Sequence, residues 1–374
     1  MAIRTIAKRV FIVVHIGIAT LFLCSCANAF LPPEKWWFFA LLGLAFPFLL
    51  LLVIIFLLFW TLFRSRWAFL SLAVLLLGFT NIRALIGFHS GGFTPAKSEQ
   101  SIRIMSWNVR WFDEQKRATK GAYPKRKQML EFIKEQDADI LCFQEYFESN
   151  RTNYSNLKDL QKMNYPYCYK VIDYGRKGGS IEVGVAIFSR FPITDSIRIR
   201  YPGPLKLRAA ESLIACDIDV HGQKIRVFNT HLQSVLFQQQ DYEHLRTIRS
   251  ADDSILDASR SIVKKLKQGY TSRSKQVDIV REQLDKSPYP AVICGDFNDV
   301  PNSYTYFRIR GNRQDAFIAS SNGIGRTFSN ISPTLRIDYI MPDKQFEVLQ
   351  FKRHVLPYSD HYPVVTDLRI STNE

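Results

Sequence analysis

Polar residues follow several apolar runs of this 374-residue chain at the points where the runs end. Asn108 follows a first run, Glu145 a second, and His231 closes a third together with Asn229. The remaining positions of this kind are Asp296, Asn298, Asp338, Asp360 and His361. One acid after an apolar run is an ordinary strand exit, but six such sites are difficult to attribute to capping alone. We therefore predict that these side chains meet in one site.

The oxygen-bearing side chains in this set predict a magnesium site. Mg²⁺ prefers oxygen ligands, keeps several waters, and is commonly held by one or two carboxylates together with a substrate phosphate. Glu145 is the expected primary ligand, with Asn108 and Asp360 as further oxygen donors. A metal held there would offset phosphate charge and stabilise the transition state.

The other members of the set have the chemistry needed to activate water. Asp296 and Asn298 lie two residues apart and suit a base and an orienting amide. His231 and His361 could donate to phosphate oxygens or carry protons, and Asp338 could hold His361 in one tautomer.

Alternation of apolar and polar residues predicts the elements that must position these side chains. We expect strands over 101–109, 139–143, 181–189, 210–219, 224–231, 290–294, 335–341, 346–354 and 363–369. A helix is expected over 123–136, and a charged helical region over 236–286. Strands dominate and polar motifs fall at their ends, so we expect a mixed α/β layered sandwich with its site on one rim.

Seven motifs, SWNV, QE, GVAIFSR, NTHL, GDFND, RIDYI and SDHYPV, occur in this order over residues 101–370. Because it contains these seven motifs in this order, the chain resembles the endonuclease/exonuclease/phosphatase superfamily. The resemblance implies a four-layered αββα sandwich of the deoxyribonuclease I type and Mg²⁺-dependent hydrolysis of phosphoesters, with Mn²⁺ as an alternative metal. It places Asn108, Glu145 and Asp360 at the metal and gives catalytic roles to His231, Asp296, Asn298, Asp338 and His361. Whether Asp296 or His361 accepts the proton of water stays open.

The histidine of the NTHL motif narrows this resemblance. Abasic-site endonucleases of the exonuclease III type carry a tyrosine there, whereas this chain has His231. In this respect it is similar to the deoxyribonuclease I and sphingomyelinase branches, and abasic-site repair is disfavoured.

The first quarter of the chain predicts a membrane anchor. Apolar runs cover 10–31, 36–63 and, more weakly, 67–79 with a continuation to residue 88, and a helix needs about 20 apolar residues to cross a bilayer. We predict two to three transmembrane helices within 1–89, a linker over 90–100 and a catalytic domain over 101–374.

Basic residues predict the direction in which the anchor crosses. They precede the first run and follow the second, so both clusters should stay cytoplasmic. Three crossings then make this an integral protein of the plasma (inner) membrane with an extracytoplasmic catalytic domain. The topology depends on the third run. Cleavage of the first run as a signal peptide at 27–29, or as a lipoprotein at 23–26, stays open.

The composition of the apolar first quarter differs from that of the rest of the chain. The chain has a net charge of +15 and 47% hydrophobic residues, which excludes a disordered chain, and six cysteines in this length exclude a disulfide-stapled miniprotein. Residues 1–96 carry seven Lys/Arg and one acidic residue, which leaves 42 basic and 33 acidic residues, a net of +9, on residues 97–374. This charge suits nucleic acid, and anionic lipid nearly as well.

The expected function is that of a membrane-anchored phosphodiesterase, and a nuclease is favoured. A sphingomyelinase-like phospholipid phosphodiesterase or a phosphomonoesterase is the alternative, and a binding protein with a dead site is opposed by the intact site residues. The basic residues between His231 and Arg273 are either a solvated helix face or a cationic arm that gathers a polyanion. No protein partner can be inferred.

Overall fold

The computed structural model describes residues 2–89, 91–118, 125–150, 152–176, 181–202, 212–235 and 255–371. The chain divides into two compact units. Unit 1 comprises 1–86, 235–275 and 300–308, and unit 2 comprises 87–234, 276–299 and 309–374. Two segments from within the predicted catalytic domain therefore group with the predicted anchor.

Four apolar helices begin unit 1. They are α1 (Ala2–Ala27), α2 (Pro33–Leu62), α3 (Ala68–Leu77) and α4 (Phe79–Leu85). Residues Thr5–Ala27 and Pro33–Leu62 are each long and apolar enough to cross a membrane, and α3 and α4 together form a candidate span bent by 68°. Large apolar side chains such as Val13, Leu58 and Leu76 are exposed on these helices, which is compatible with a membrane anchor.

Hydrogen bonds between side chains join the first three helices. His15 of α1 is fully buried, and its Nε2 lies 2.8 Å from Ser71 Oγ of α3. Trp60 Nε1 of α2 donates to His15 Nδ1 over 3.0 Å. Because the indole donates to Nδ1, the neutral imidazole carries its proton on Nε2 and donates it to Ser71. These contacts specify how the three helices pair.

Unit 1 also contains most of a long helix, together with the segment 300–308. The long helix is α7 (Ile255–Asp285), which continues into unit 2, and α8 (Tyr304–Arg310) begins within the segment. The charged helical region predicted over 236–286 is confirmed from residue 255, whereas residues 236–254 lie outside the described part of the chain.

A six-stranded sheet forms half of unit 2, in the order β12-β13-β2-β3-β5-β4. Its strands are β2 (Ile102–Asn108), β3 (Ile140–Glu148), β4 (Tyr167–Arg176), β5 (Ile181–Ser189), β12 (Phe346–Arg353) and β13 (Val364–Ile370). Strands β2 and β3 are parallel and the other pairs are antiparallel. Helices α5 (Arg126–Gln136) and α6 (Asn156–Lys162) belong to the same half.

A five-stranded sheet forms the other half, in the order β11-β9-β8-β7-β6. Its strands are β6 (Ile193–Arg200), β7 (Ser212–Val220), β8 (Gln223–His231), β9 (Ala291–Asp296) and β11 (Asp338–Pro342). Strands β8 and β9 are parallel. Two short strands, β1 (Gly87–Phe88) and β10 (Asn322–Gly323), pair separately, and α9 spans Ala316–Ser320.

Two apolar layers hold unit 2 together. One lies between the sheets and includes Ile104 and Cys142 from the first sheet and Cys216 and Val227 from the second. The other packs α5 against the outer face of the six-stranded sheet. The predicted four-layered αββα sandwich is confirmed. Strands β4 and β6 were absent from the predicted set. Polar and charged residues interrupt the apolar alternation in both, in CYKVIDYGR of β4 and in TDSIRIR of β6.

Candidate active site

The two parallel strand pairs of unit 2 explain why the polar motifs meet. Asn108 at the end of β2 lies opposite Gln144 of β3, and His231 at the end of β8 lies opposite Asp296 of β9. Asp338 begins β11 directly opposite Asp296. Parallel neighbours end at the same edge of a sheet, so residues far apart in sequence converge there.

Asp338 and His361 form a buried hydrogen-bonded pair. His361 Nδ1 lies 3.0 Å from Asp338 Oδ1 and 3.1 Å from Oδ2. The backbone N–H of Asp338 donates to Thr327 Oγ1, and Trp107 Nε1 donates to the carbonyl oxygen of His361. His361 is therefore held at its Nδ1 by Asp338 and at its carbonyl oxygen by Trp107, while Nε2 lies on the opposite side of the ring, toward Asp296.

The carboxylates around His361 determine its charge. Burial opposes the charged imidazole, but Asp338 and then Asp296 outweigh it and raise the pKa of His361 to about 10. Burial, together with the negative charge of Asp296, raises the pKa of Asp338, and the neighbouring His361 opposes that rise. At neutral pH, without a metal, the pair carries the proton mainly on the imidazole.

Asp296 lies at the centre of the site. Its Oδ2 is 3.6 Å from His361 Nε2, 3.5 Å from His231 Nε2 and 3.1 Å from Asn108 Nδ2. Its Oδ1 accepts the backbone N–H of Asn298 over 2.8 Å. The Asp296 carboxylate therefore contacts both histidines, the side chain of Asn108 and the backbone of Asn298.

Backbone strain accompanies two of these positions. Glu145 has φ 51° and Asn298 has φ 52°, left-handed values that are costly for residues other than glycine. Glu145 lies where the pairing of β3 with β5 shifts register between Phe143 and Tyr146, and such bulges re-aim side chains beside active sites. Gly295, which precedes Asp296 in β9, has φ 152°, and a Cβ there would lie 2.1 Å from the Thr230 carbonyl oxygen.

Glu145 and Asp360 offer oxygen atoms for a metal. Glu145 is half-buried, and its Oε1 has a long 3.4 Å contact with Asn108 Nδ2. Beside Asp360, Ser359 Oγ donates its one proton to the Asn108 carbonyl oxygen over 2.9 Å and lies 3.4 Å from Asp360 Oδ1. Arg110 Nε lies 3.6 Å from Asp360 Oδ2. An all-oxygen donor set on partly accessible carboxylates fits a hard divalent cation.

Asn108 is oriented as a hydrogen-bond donor in this structure. Its Nδ2 faces Glu145 and Asp296, while its Oδ1 accepts the backbone N–H of Arg110 over 3.0 Å. As an oxygen ligand, the role expected from the sequence, its amide would have to turn over.

Asp296, Asp338 and His361 also lie close enough together to hold a metal ion. In this structure His361 Nδ1 is already engaged by Asp338 at a hydrogen-bond distance, so Nε2 is the ring atom that a metal at this group would contact.

Two supporting groups were missed by sequence reasoning. Gln144 Nε2 donates to Asn229 Oδ1 over 2.7 Å, and Asn229 Nδ2 donates to the carbonyl oxygens of Phe143 and Ala186, so these amides bridge the two sheets behind the site. Thr327 accepts from the backbone of Ile337 and Asp338. The QE motif was a signal for Gln144, whereas Thr327 has no distinguishing pattern around it.

The fold and this edge of polar residues define a metal-dependent phosphoric ester hydrolase of the αββα class. Residues 105–361 match the model of the Endonuclease/Exonuclease/phosphatase family, and the chain belongs to that family. Residues 8–85 match a domain of unknown function, DUF8431. No curated protein matches the sequence.

Solved structures share the fold at low sequence identity. An endonuclease/exonuclease/phosphatase from Beutenbergia cavernae is 20% identical with a TM-score of 0.52, over 73% of this chain and 72% of that one. The human Nocturnin catalytic domain with bound sulfate is 18% identical with a TM-score of 0.51, over 75% and 97%. ANGEL2, a 2',3'-cyclic phosphatase, is 17% identical with a TM-score of 0.50, over 73% and 96%.

Proposed function

We propose that this chain is a membrane-anchored, Mg²⁺-dependent phosphodiester hydrolase and that nucleic acid is its substrate. The observation that carries the proposal is Asp296, whose one carboxylate lies within 3.6 Å of both histidines while Asp338 holds the far side of His361. A carboxylate flanked by two imidazoles, beside a separate pair of oxygen ligands, supports the attack of water on a phosphate.

The residues divide the work of hydrolysis between them. Glu145 and Asp360 would hold the metal, which supplies charge compensation for the phosphate when bound. Asn298 and Asp296 orient the attacking water, whose oxygen forms the new bond to phosphorus while the bond to the leaving oxygen breaks. Asp296 Oδ2 or His361 Nε2, which lie 3.6 Å apart, accepts the proton that the water loses, and a proton then passes from this pair to the leaving oxygen. His231 donates to a phosphate oxygen.

Charge supports nucleic acid as the substrate. Residues 97–374 carry a net +9, and basic surfaces supply most of the nonspecific affinity for a polyphosphate backbone. Nocturnin with a bound sulfate anion and ANGEL2, a 2',3'-cyclic phosphatase, share the fold, which is in keeping with a site for phosphate oxygens. A phospholipid is the second candidate, because the chain contains helices apolar enough to place it on a membrane.

The contacts of unit 1 support three membrane crossings and an uncleaved α1. Ser71 of α3 bonds His15, and Asn81 of α4 donates to the Cys26 carbonyl oxygen over 3.2 Å. His15 and Cys26 are about 16 Å apart along α1, so α3 and α4 rise alongside it despite their bend. We therefore place residues 87–374 on the same side as the turn after α1, extracytoplasmic at the plasma membrane by the charge rule.

The test uses the full-length protein in detergent micelles with Mg²⁺ and four substrates: single-stranded DNA, RNA, sphingomyelin and a phosphomonoester. We expect cleavage of nucleic acid, lost in Asp296→Asn and retained in Asp195→Asn, an exposed aspartate that serves as the matched control. Turnover of sphingomyelin without cleavage of nucleic acid would replace the leading proposal with the second. Absence of Mg²⁺-dependent turnover of all four would refute both.

A further inference from the structure

The long helix α7 carries a basic face within unit 1. Arg260, Lys264, Lys267 and Lys275 are exposed, and their spacing places them on one side of a helix with 3.6 residues per turn. The opposite side is buried and includes Ile262, Tyr270 and Arg273. We call the four exposed residues the basic face.

Two members of the basic face contact residues 28–37, which comprise the link between α1 and α2 and the first turn of α2 and are called the turn below. Lys267 Nζ lies 5.1 Å from the centroid of the Trp37 ring, a cation–π distance. Lys275 Nζ lies 3.4 Å from Glu34 Oε1, with about half of each side chain exposed. These two lysines are about 12 Å apart along the helix axis, so the contacts determine the direction in which the helix runs past the turn.

In the membrane topology proposed above, on which this inference rests, the turn lies at the level of lipid headgroups. It separates two helices that are each long enough to cross a bilayer, and it carries Lys35 and Trp36, both exposed. Tryptophan favours the boundary between headgroups and acyl chains, and lysine near a helix end extends toward the headgroups. The basic face, which contacts this turn, is consequently at the same depth.

Arg260 and Lys264 extend beyond the turn. Lys264 lies about one helical turn and Arg260 about two turns from Lys267 toward the N-terminus of α7, away from Glu34, an acid that contacts the basic face at Lys275. Exposed cations at this depth are placed to meet the phosphates of lipid headgroups.

We propose that the basic face binds the headgroups of anionic phospholipids in the bilayer that the anchor crosses. Charge complementarity and continuity with the Trp37 turn favour lipid over a nucleic-acid strand, because a strand would have to displace the headgroups that already surround the turn. The cationic region seen in the sequence is then neither a merely solvated face nor a substrate arm. This inference does not depend on the reaction that the site catalyses.

The experiment compares lysine acetylation rates in the full-length protein. The protein is placed in nanodiscs of phosphatidylcholine alone or with phosphatidylglycerol, and acetylation at each lysine is read by mass spectrometry. We expect Lys264 and Lys267 to react about fivefold more slowly in the anionic discs, the factor that an anionic surface contributes per basic side chain. High salt should remove the difference, since the Debye length falls to about 3 Å at 1 M.

Exposed lysines of unit 2 provide the internal control. Lys158 and Lys344 should react at the same rate in both discs. Equal rates at Lys264 and Lys267 in the two discs would overturn the proposal. So would slowing that occurs only when an oligonucleotide is added to phosphatidylcholine discs, which would assign the basic face to nucleic acid.

A variant pair separates lipid binding from the chemistry of the label. Hydrogen exchange over residues 255–275 should slow in anionic discs for the wild type and for Lys158→Gln/Lys344→Gln. Lys264→Gln/Lys267→Gln, which removes the same charge, should lose at least half of that slowing. Equal slowing in both double variants would contradict the proposal.

Discussion

The two units each bury a cluster of polar side chains, and the clusters differ in charge. In unit 1, Asn302 is 1% exposed, and its side chain accepts from Asn81 Nδ2 over 2.5 Å and donates to the Ser25 carbonyl oxygen. The backbone carbonyl oxygen of Asn302 accepts from Asn28 Nδ2 over 2.7 Å. Every one of these groups is neutral. In unit 2 the clustered groups are carboxylates and imidazoles, and two of them, Asp338 and His361, have raised pKa values.

The difference shows which cluster serves stability and which serves chemistry. Neutral amides whose N–H groups are hydrogen-bonded cost less to bury than charges do, and these amides hold the segment 300–308 to α1 and α4. Like charges such as Asp296 and Asp338 gathered at one edge oppose folding, and strained backbone at Glu145 and Asn298 adds to that cost. Such an arrangement is typical of sites where function has been kept at the expense of stability. Substitutions in the two clusters should therefore affect different observables.

The largest expected effect is on turnover, from Asp338→Asn. The asparagine amide keeps a hydrogen-bond acceptor beside His361 Nδ1 but removes the negative charge that favours the protonated imidazole. We expect kcat to fall by about 10³-fold or more, with the thermal midpoint changed by only a few degrees. Asp195→Asn serves as the control. A retained kcat would remove Asp338 from the catalytic assignment.

Metal dependence should follow, through Glu145. EDTA should abolish turnover and added Mg²⁺ should restore it, and Glu145→Gln should need at least about 10-fold more Mg²⁺ for half-maximal activity. Glu135→Gln, at an exposed position of α5, should behave like the wild type. A metal requirement unchanged in Glu145→Gln would move the metal to the Asp296, Asp338 and His361 group.

A third substitution should affect stability alone. Asn302→Leu removes the side-chain oxygen that accepts from Asn81 Nδ2 and the amide that donates to the Ser25 carbonyl oxygen, whereas the backbone acceptor of Asn28 remains. We therefore expect a loss of about 1–3 kcal/mol in the free energy of unfolding. Thermal unfolding in micelles, followed by tryptophan fluorescence, measures it, with Asn153→Leu at an exposed position as the control. A loss of turnover at an unchanged thermal midpoint would break the comparison by giving this cluster a catalytic role.

The smallest effect is expected from Trp60→Phe. The change removes the donor to His15 Nδ1 while retaining an aromatic ring, and hydrogen bonds between membrane helices contribute about 0.6 kcal/mol on average. The thermal midpoint should fall slightly, with kcat unchanged, whereas Trp36→Phe at an exposed position should leave it unaltered. A fall as large as that of Asn302→Leu would give the His15 contacts a greater share in holding the helices together.

Much of the site was predictable because its motifs fall at strand ends. Asp338, His361 and Asp296 were predicted as one group, and the structure brings them within hydrogen-bond and ion-pair distances. The assignment of ligands to the metal remains a prediction. The donor orientation of Asn108 was beyond sequence reasoning, because it depends on which neighbours surround the amide in space.

The amino-acid sequence by itself determined the apolar anchor, the order of the strands that carry the site, and the family, because periodicity and motif order are local properties of the chain. Only the tertiary structure decided that Asn302 belongs with Asn28 and Asn81 and that the basic face contacts the turn after α1. These residues are separated by more than two hundred positions, and their pairing depends on packing, which brings together groups that no local pattern links.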